Sequence, residues 1–273
     1  MIKRILVGLG GTPFGQAAVR HAAELARVHE AEVTGIAVVD IEGLHRTGPV
    51  PLGAGAAAHD LAEYRVRCTR EAVDKVVAGF ERECGEAEVH HAVRRETGNP
   101  LDALISHWRY HDLTVLGLRG FFAYGVLPEV PDAIVRLILE GVRTVVAAAD
   151  TYRPVRRALI AYSGSAESAK AMKRFVQLRP WPVERVSIVC FERPDAERLL
   201  ADAAAYCRRH GLAVDTASLP GLAREALLPY AASEGQDAIV LGDSARSLLS
   251  RRVFGDTALH VMRHSDRPLF ISH

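Results

Sequence analysis

The amino-acid sequence contains one pattern twice. Residues 5–12 read as an apolar strand followed by a glycine-rich turn, and residues 158–165 read as an apolar strand followed by Gly164 between two serines. Each half also contains a late apolar strand that ends in glycine, over Leu113–Gly117 and Ala238–Gly242. An internal repeat of this kind predicts two copies of one structural unit, so that each copy serves as a comparison for the other.

The length of the chain fits two domains. At 273 residues, the chain can form two units that are each large enough to bury a hydrophobic core. We predict domains over residues 1–150 and 155–273, with the linker where Pro154 interrupts the pattern. Hydrophobic residues make up 49% of the chain and charged residues 25%, which is typical of a globular protein.

Apolar strand patterns alternate with helical patterns in both halves. Alternation of this type predicts α/β domains with parallel strands covered by helices on both faces. The predicted strands are residues 3–9, 32–39, 87–93, 113–117, 143–148, 158–162, 185–191, 213–218, 238–242 and 268–272. The predicted helices are residues 14–29, 59–84, 100–108, 132–139, 167–178, 195–210, 222–233 and 257–263.

Residues 41–58 are rich in glycine, alanine and proline, which predicts a long loop. The second half has no segment of this kind between its second strand and its second helix. Loops of this length are usually disordered or functional. The segment is therefore either a loose flap or a lid over a ligand.

The repeated strand–turn–helix pattern, with its late strand ending in glycine, resembles the universal stress protein family in its tandem bacterial form. The resemblance covers nearly the whole chain. It implies two five-stranded parallel domains that pair through their last strands. In a tandem chain this pairing is internal, so residues 145–148 would lie against residues 269–272 and form an internal pseudo-dimer.

Many members of that family bind ATP through Gly-x2-Gly-x9-Gly-[Ser/Thr], an acidic residue after strand one and a backbone contact after strand two. Glycines allow the backbone to approach phosphate, and helix N-terminal amides favour an anion. The second half keeps the spacing but carries alanine at the second glycine and aspartate at the hydroxyl position. By resemblance, its site for ATP or ADP comprises Ser163, Phe191, Gly242, Ala245, Gly255, Asp256 and Thr257.

The first half departs further from the family pattern. Its matching positions are Val38, Gly117 and Gly120, but Pro131 stands where the second half has Gly255. Proline has no N–H to donate, so this helix start is a poorer anion site. We therefore expect nucleotide in the second half, although Asp256 there repels phosphate unless nearby arginines or Mg2+ offset its charge.

A second interpretation is an interaction protein that binds no nucleotide. The apolar and aromatic residues 121–127, together with residues 41–58, would contact a partner protein or a lipid-like ligand. Substitution of Asp256 by serine separates the two hypotheses, since it restores the family motif. No nucleophile paired with a base is evident, so we expect at most slow ATP hydrolysis.

Charge and composition argue against a nucleic-acid-binding protein and against a membrane-spanning one. The net charge of +1 gives no footprint for nucleic acid, and no apolar run approaches the ~20 residues that span a bilayer. We expect a cytoplasmic protein with reduced cysteines, which forms an internal pair and is able to form a homodimer.

His107 with His111 and His260 with His264 have metal-compatible spacing, but each pair lacks a third ligand and is interpreted as surface histidines.

Overall fold

Ten strands form a single sheet in the computed structural model. The structure describes residues 1–45, 54–120, 122, 124, 133–140, 142, 144–242 and 255–272. The first half contributes β1 (Arg4–Gly8), β2 (Glu32–Val39), β3 (His91–Thr97), β4 (Leu113–Gly117) and β5 (Thr144–Ala148). The second half contributes β6 (Arg157–Ala161), β7 (Arg185–Phe191), β8 (Ala213–Leu219), β9 (Ala238–Gly242) and β10 (Leu269–Ser272).

Helices cover both faces of the sheet. The first half contains α1 (Pro13–His29), α2 (Ile41–His45), α3 (Gly55–Glu86), α4 (Pro100–Trp108) and α5 (Ala133–Leu139). The second half contains α6 (Ala166–Leu178), α7 (Ala196–Arg209), α8 (Ala223–Ser233) and α9 (Asp256–His264). Side chains of α1, α3, α6 and α7 form one hydrophobic core, and those of α4, α5, α8 and α9 form the other. Among the described residues, no helix is both long enough and apolar enough to cross a bilayer.

The strand order is β3-β2-β1-β4-β5-β10-β9-β6-β7-β8, and every neighbouring pair is parallel except β5 with β10. In that central pair, Ala147 lies opposite Leu269 and Thr144 lies opposite Ser272. The predicted pairing of the two last strands is therefore confirmed. So is the predicted fold, two repeated five-stranded parallel halves joined as an internal pseudo-dimer.

The centre of the sheet is held by apolar burial on both faces. All residues of β5 and β10 are buried. Phe270 on β10 packs edge-to-face against Phe175 of α6, with ring centroids 5.3 Å apart. Burial of one such side chain contributes roughly 1.5–3 kcal/mol. A polar contact adds to the junction, because Nε2 of His29 lies 3.0 Å from the carbonyl oxygen of Arg179, which can only accept a hydrogen bond.

The predicted loop over residues 41–58 is wrong at both ends. Residues 41–45 form the short helix α2, and α3 already begins at Gly55. Asp40 explains the first helix, because its carboxylate accepts a hydrogen bond from the amide of Gly43 at 2.8 Å, while Leu44 is buried beneath. A glycine that reads as a loop signal is here part of a capped turn. Residues 46–53 lie outside the described part of the chain.

The third strand was predicted about four residues too early, over residues 87–93 instead of His91–Thr97. The helix before it continues to Glu86, and Glu88 reverses the chain with a φ of 55°. The observed strand lies at the edge of the sheet and is partly exposed along its length. Its sequence therefore lacks the continuous apolar run that marks the inner strands.

The last residue of β4 and of β9 has to be glycine for reasons of packing. A Cβ on Gly242 would lie 2.6 Å from the carbonyl carbon and oxygen of Glu167 in α6. A Cβ on Gly117 would lie 2.9 Å from Cβ of Phe14 in α1. In both halves the first turn of a helix thus rests directly on the end of a neighbouring strand. This close approach requires glycine whether or not a ligand binds.

Gly242→Ala should therefore destabilise the fold. The new methyl group meets backbone atoms, which cannot rotate away, and overpacking of this kind costs about 1–3 kcal/mol. Gly79→Ala is the matched control, because Gly79 lies within α3 and a Cβ there meets nothing within 4 Å. The control should gain about 0.4–1 kcal/mol. Urea unfolding measures both, and an unchanged midpoint for Gly242→Ala would contradict the packing argument.

His21 of α1 is fully buried where the two halves meet. Its ring packs 4.9 Å from the ring of Tyr152 and 6.0 Å from that of Trp181 in the second half. Neither ring nitrogen has a hydrogen-bond partner among the described residues, and the nearest carboxylate oxygen, on Glu24, is 3.9 Å from Nδ1. Burial lowers the pKa of His21 to about 4 and raises that of Glu24. The imidazole is therefore neutral in the folded protein at pH 7.

We expect acid to destabilise the protein through His21. As pH falls from 6.5 toward 4, the unfolded chain binds a proton at His21 that the folded chain does not, so unfolding becomes easier by on the order of 3 kcal/mol. His21→Leu should reduce this loss, and His90→Leu, at an exposed histidine, should not. Denaturant unfolding at pH 7 and pH 4.5 gives the comparison. An equal loss in all three proteins would refute the assignment.

Candidate functional site

Each half of the sheet has one topological switch point. In the first half it lies between β1 and β4, because the helix that follows β1 covers one face and the helix that follows β4 covers the other. In the second half it lies between β6 and β9. Ligands of open parallel sheets bind in the crevice outside the carboxyl ends of such strands. These two crevices are therefore the candidate sites.

Strand register shows which residues of the two crevices correspond. Gly8 pairs with Ile36 in the first half, as Ala161 pairs with Val189 in the second. The corresponding crevice positions are Gly10 and Ser163, Gly11 and Gly164, Thr12 and Ser165, and Val38 and Phe191. The sequence-based match of Val38 with Phe191 follows from the same register.

Hydroxyl groups cap the helix that follows each first strand. Thr12 accepts a hydrogen bond from the amide of Gly15 at 3.3 Å, and Ser165 accepts one from the amide of Ser168 at 3.2 Å. Thr12 and Ser165 are therefore the N-caps of α1 and α6. In the second half, Ser163 extends this cap into a cluster, because its hydroxyl lies 3.1 Å from that of Ser165. The first half has Gly10 in its place and no such cluster.

Tyr124 occupies the first-half crevice. Its hydroxyl donates to the carbonyl oxygen of Leu9 at 2.9 Å and accepts from the amide of Val38 at 3.3 Å. Burial raises the pKa of this phenol far above its usual value, so it remains a neutral donor. Phe122 lies beside it, with a ring carbon 3.6 Å from where a Cβ on Gly8 would stand. The backbone contact expected of Val38 is therefore already made within the chain.

This role of Tyr124 was not predicted from the sequence, which indicated only an apolar and aromatic segment. Gly120 allows the segment to turn back, since it has a φ of 64° and its carbonyl oxygen accepts a hydrogen bond from the Thr12 hydroxyl at 3.3 Å. Gly117 is explained by its packing against Phe14. The first-half positions taken from the family motif thus have structural roles without a ligand.

The second-half crevice has a different lining. Arg193 follows β7, and its guanidinium donates to the carbonyl oxygen of Ser163 at 2.7 Å while pairing with Asp195 at 2.9 Å. Successive residues of a strand direct their peptide N–H and C=O groups to opposite sides. The amide of Glu192 donates to the carbonyl oxygen of Leu219 on the β8 side, so the peptide groups of Phe191 face β6. The Arg193–Asp195 ion pair and a hydroxyl cluster therefore lie at the carboxyl end of β6. The sequence analysis did not identify Arg193.

The start of α9 lies at this same edge of the sheet, since α9 crosses back from β9 to β10. Gly255 is its N-cap and supplies no side-chain acceptor to the first-turn amides. Asp256 is exposed in the first turn and is followed by Thr257. Ala245 and the arginines at 246, 251 and 252 lie outside the described residues, as does Pro131 in the first half. The structure thus positions Ser163, Phe191, Gly242, Gly255, Asp256 and Thr257 at one edge.

Within the described part of the chain, no cluster of side chains suits thiol chemistry or metal binding. Burial raises the pKa of Cys84 to about 12 and that of Cys207 to about 11, so neither thiol is a nucleophile at neutral pH. The rings of His260 and His264 are stacked 4.3 Å apart. No group of three metal-binding side chains forms among the residues described.

Comparison with known proteins agrees with this architecture. A universal stress protein from Archaeoglobus fulgidus has a TM-score of 0.70 at 15% identity, over 98% of this chain and 97% of its own. A Pseudomonas aeruginosa protein of unknown function has a TM-score of 0.59 at 16% identity, over 99% of this chain and 92% of its own. At these identities the likeness shows the fold alone.

Sequence comparison gives the family. The universal stress protein Slr1230 of Synechocystis is 24% identical over 286 residues, covering 98% of this chain and 99% of that protein. The model of the universal stress protein family matches residues 1–138 and 190–273, which together make up most of the sequence. The chain therefore belongs to the universal stress protein family, as its repeated pattern indicates.

Proposed function

We propose that this chain is a cytoplasmic ligand-sensing protein of the stress response that binds ATP or ADP in the crevice between β6 and β9. One observation carries the choice of half. In the first half, the Leu9 carbonyl and the Val38 amide are both bonded to Tyr124. Their second-half counterparts belong to Tyr162 and Phe191, at an edge that carries the Arg193–Asp195 ion pair and the hydroxyls of Ser163 and Ser165.

The chemistry of the second-half edge supports a nucleotide. Arg193, which is paired with Asp195, donates to the carbonyl oxygen of Ser163, and Ser163 corresponds to the family's acidic position and would lie near the ribose. Gly255 leaves the first-turn amides of α9 without a side-chain acceptor, so they can donate to phosphate. Gly242 and Ala245 would lie beneath the phosphates, and Thr257 would supply the hydroxyl. Phe191 would lie near the base.

Asp256 is an exposed carboxylate in the first turn of α9, where it opposes phosphate. Its carboxylate would either weaken the binding of free nucleotide or hold Mg2+ next to the phosphates, as carboxylates do in nucleotide sites. The described residues at this edge include no evident base for water. The proposal is therefore one of binding and sensing, with hydrolysis at most slow.

The alternative, a scaffold for a partner protein or lipid-like ligand, draws on residues 121–127 and 41–58. Two observations show that part of these two segments faces inward and is not available to a partner. Phe122 and Tyr124 are directed into the first-half crevice instead of outward, and Ile41–His45 forms a helix with Leu44 buried. We therefore place nucleotide binding ahead of the scaffold.

Equilibrium dialysis with labelled ATP tests the proposal. We expect one ATP per chain and its loss in Ser163→Trp, because an indole at this exposed turn position would fill the crevice. Ser233→Trp is the control, an equally exposed serine at the opposite edge of the second half. Tyr124→Ala should not reduce the stoichiometry below one. Absence of binding at millimolar ATP, or loss of binding only in Tyr124→Ala, would overturn the proposal.

Asp256 gives a second test. In the presence of EDTA, Asp256→Asn and Asp256→Ser should each tighten ATP binding roughly fivefold, since an exposed like-charge contact costs about 1 kcal/mol. Asparagine keeps the shape of aspartate, so a gain in both variants reports charge. With Mg2+ present the same substitutions should weaken binding. If neither condition changes the affinity, Asp256 does not lie near the phosphates.

A further inference from the structure

A cavity of about 650 Å3 lies between α1 and α3 in the first half. One wall is formed by the β1–α1 turn and the first two turns of α1, and the other by α3. Val19, Val76 and Phe80 contribute apolar atoms to its walls, and Thr12, Gln16 and Tyr124 contribute polar ones. This volume falls within the range of small-molecule sites, which bury most of a bound ligand. The cavity adjoins the first-half crevice, with which it shares Gly10, Gly11, Thr12 and Tyr124, whereas the proposed nucleotide crevice is in the other half.

The second half shows that this space need not be open. There the equivalent turn residue is Gly164, and the side chain of Leu199 from α7 reaches it, with methyl carbons 2.8 and 3.0 Å from where a Cβ would stand. In the first half Gly11, at the same position, lines the cavity. The helix that would fill the space, α3, instead presents Val76 and Gly79. The two copies of the fold thus differ specifically in leaving this space open.

Gly79 has no structural requirement for glycine. It lies within α3, its φ is not positive, and a Cβ there would meet nothing within 4 Å. A glycine inside a helix costs about 0.5–1 kcal/mol relative to alanine. Its one evident effect is that no side chain projects into the cavity from this point of α3.

Basic side chains surround the cavity. Arg20, Lys75 and Arg82 lie on its lining, against one carboxylate, that of Glu83. Glu83 is 3.5 Å from Arg20 and so neutralises that group. Lys75 has no ion-pair partner among the described residues, and Arg82 has only Glu86 at a distance of 3.9 Å. The rim therefore carries net positive charge beside the apolar atoms of the walls.

We propose that this cavity binds a small organic anion, an aromatic or aliphatic body that carries one carboxylate, sulfonate or phosphate group. The body lies between Val19, Val76 and Phe80, and the anionic group is held at the rim by Lys75 and Arg82. The site is independent of the proposed nucleotide crevice.

Fluorescence titration with 8-anilinonaphthalene-1-sulfonate tests the site, with uncharged N-phenyl-1-naphthylamine as the matched probe. We expect one saturable site for the sulfonate, tighter than for the neutral probe and weakened by salt. Lys75→Glu should lower the affinity for the sulfonate roughly tenfold, since it replaces attraction by repulsion. Gly79→Leu should block both probes. Arg70→Glu and Gly85→Leu are matched controls on α3 that do not line the cavity.

The outcomes are distinct. Loss of sulfonate binding in Lys75→Glu and Gly79→Leu, with both controls unchanged, supports the proposal. If Gly79→Leu blocks both probes but Lys75→Glu changes nothing, the preference for an anion is wrong. If Gly79→Leu leaves binding intact, the probe binds elsewhere and the site is refuted. Ser163→Trp should not affect this titration, so failure of the nucleotide proposal and failure of this one are read separately.

Discussion

The antiparallel pairing of β5 with β10 is the interaction on which the rest of the structure depends. It converts two five-stranded sheets into one ten-stranded sheet and leaves no edge strand at the centre. Because both strands are buried on both faces, hydrogen bonds between them form away from water, and apolar side chains from both halves cover them. Beside the same junction, His29 at the end of α1 contacts the turn after α6.

The sequence predicted best what is buried on both faces. The inner strands Glu32–Val39, Leu113–Gly117, Arg185–Phe191 and Ala238–Gly242 were predicted to the residue, because apolar residues dominate a strand that is covered on both sides. The edge strand β3 was placed wrongly, because α3 continues to Glu86 and the partly exposed residues of β3 form no apolar run. The other edge strand, β8, was predicted to within one residue. The helix α2 was missed because Gly43 reads as a turn signal, and only its hydrogen bond to Asp40 shows otherwise.

The candidate site was harder to predict than the fold, and the reason is physical. Motif spacing identified Val38 and Phe191 as corresponding positions, which the strand register supports. It could not show that a tyrosine 86 residues further along the chain bonds to Val38, because this depends on how the segment after β4 folds back. Glycines were equally ambiguous: Gly117 and Gly242 match a phosphate motif, yet helix packing alone requires them. A motif residue with a complete structural explanation gives little evidence for a ligand.

The central antiparallel pair has a geometric consequence. Since β5 and β10 run in opposite directions, all strands of one half run opposite to those of the other. The carboxyl ends of the two sets therefore face opposite sides of the molecule. The pocket beside α3 and the edge that carries Ser163 point away from each other, so ligands at the two places cannot touch. A second protein that contacts one of these edges leaves the other accessible, and any influence between the two must cross the junction formed by β5, β10 and the contacts of His21 and His29 with the second half.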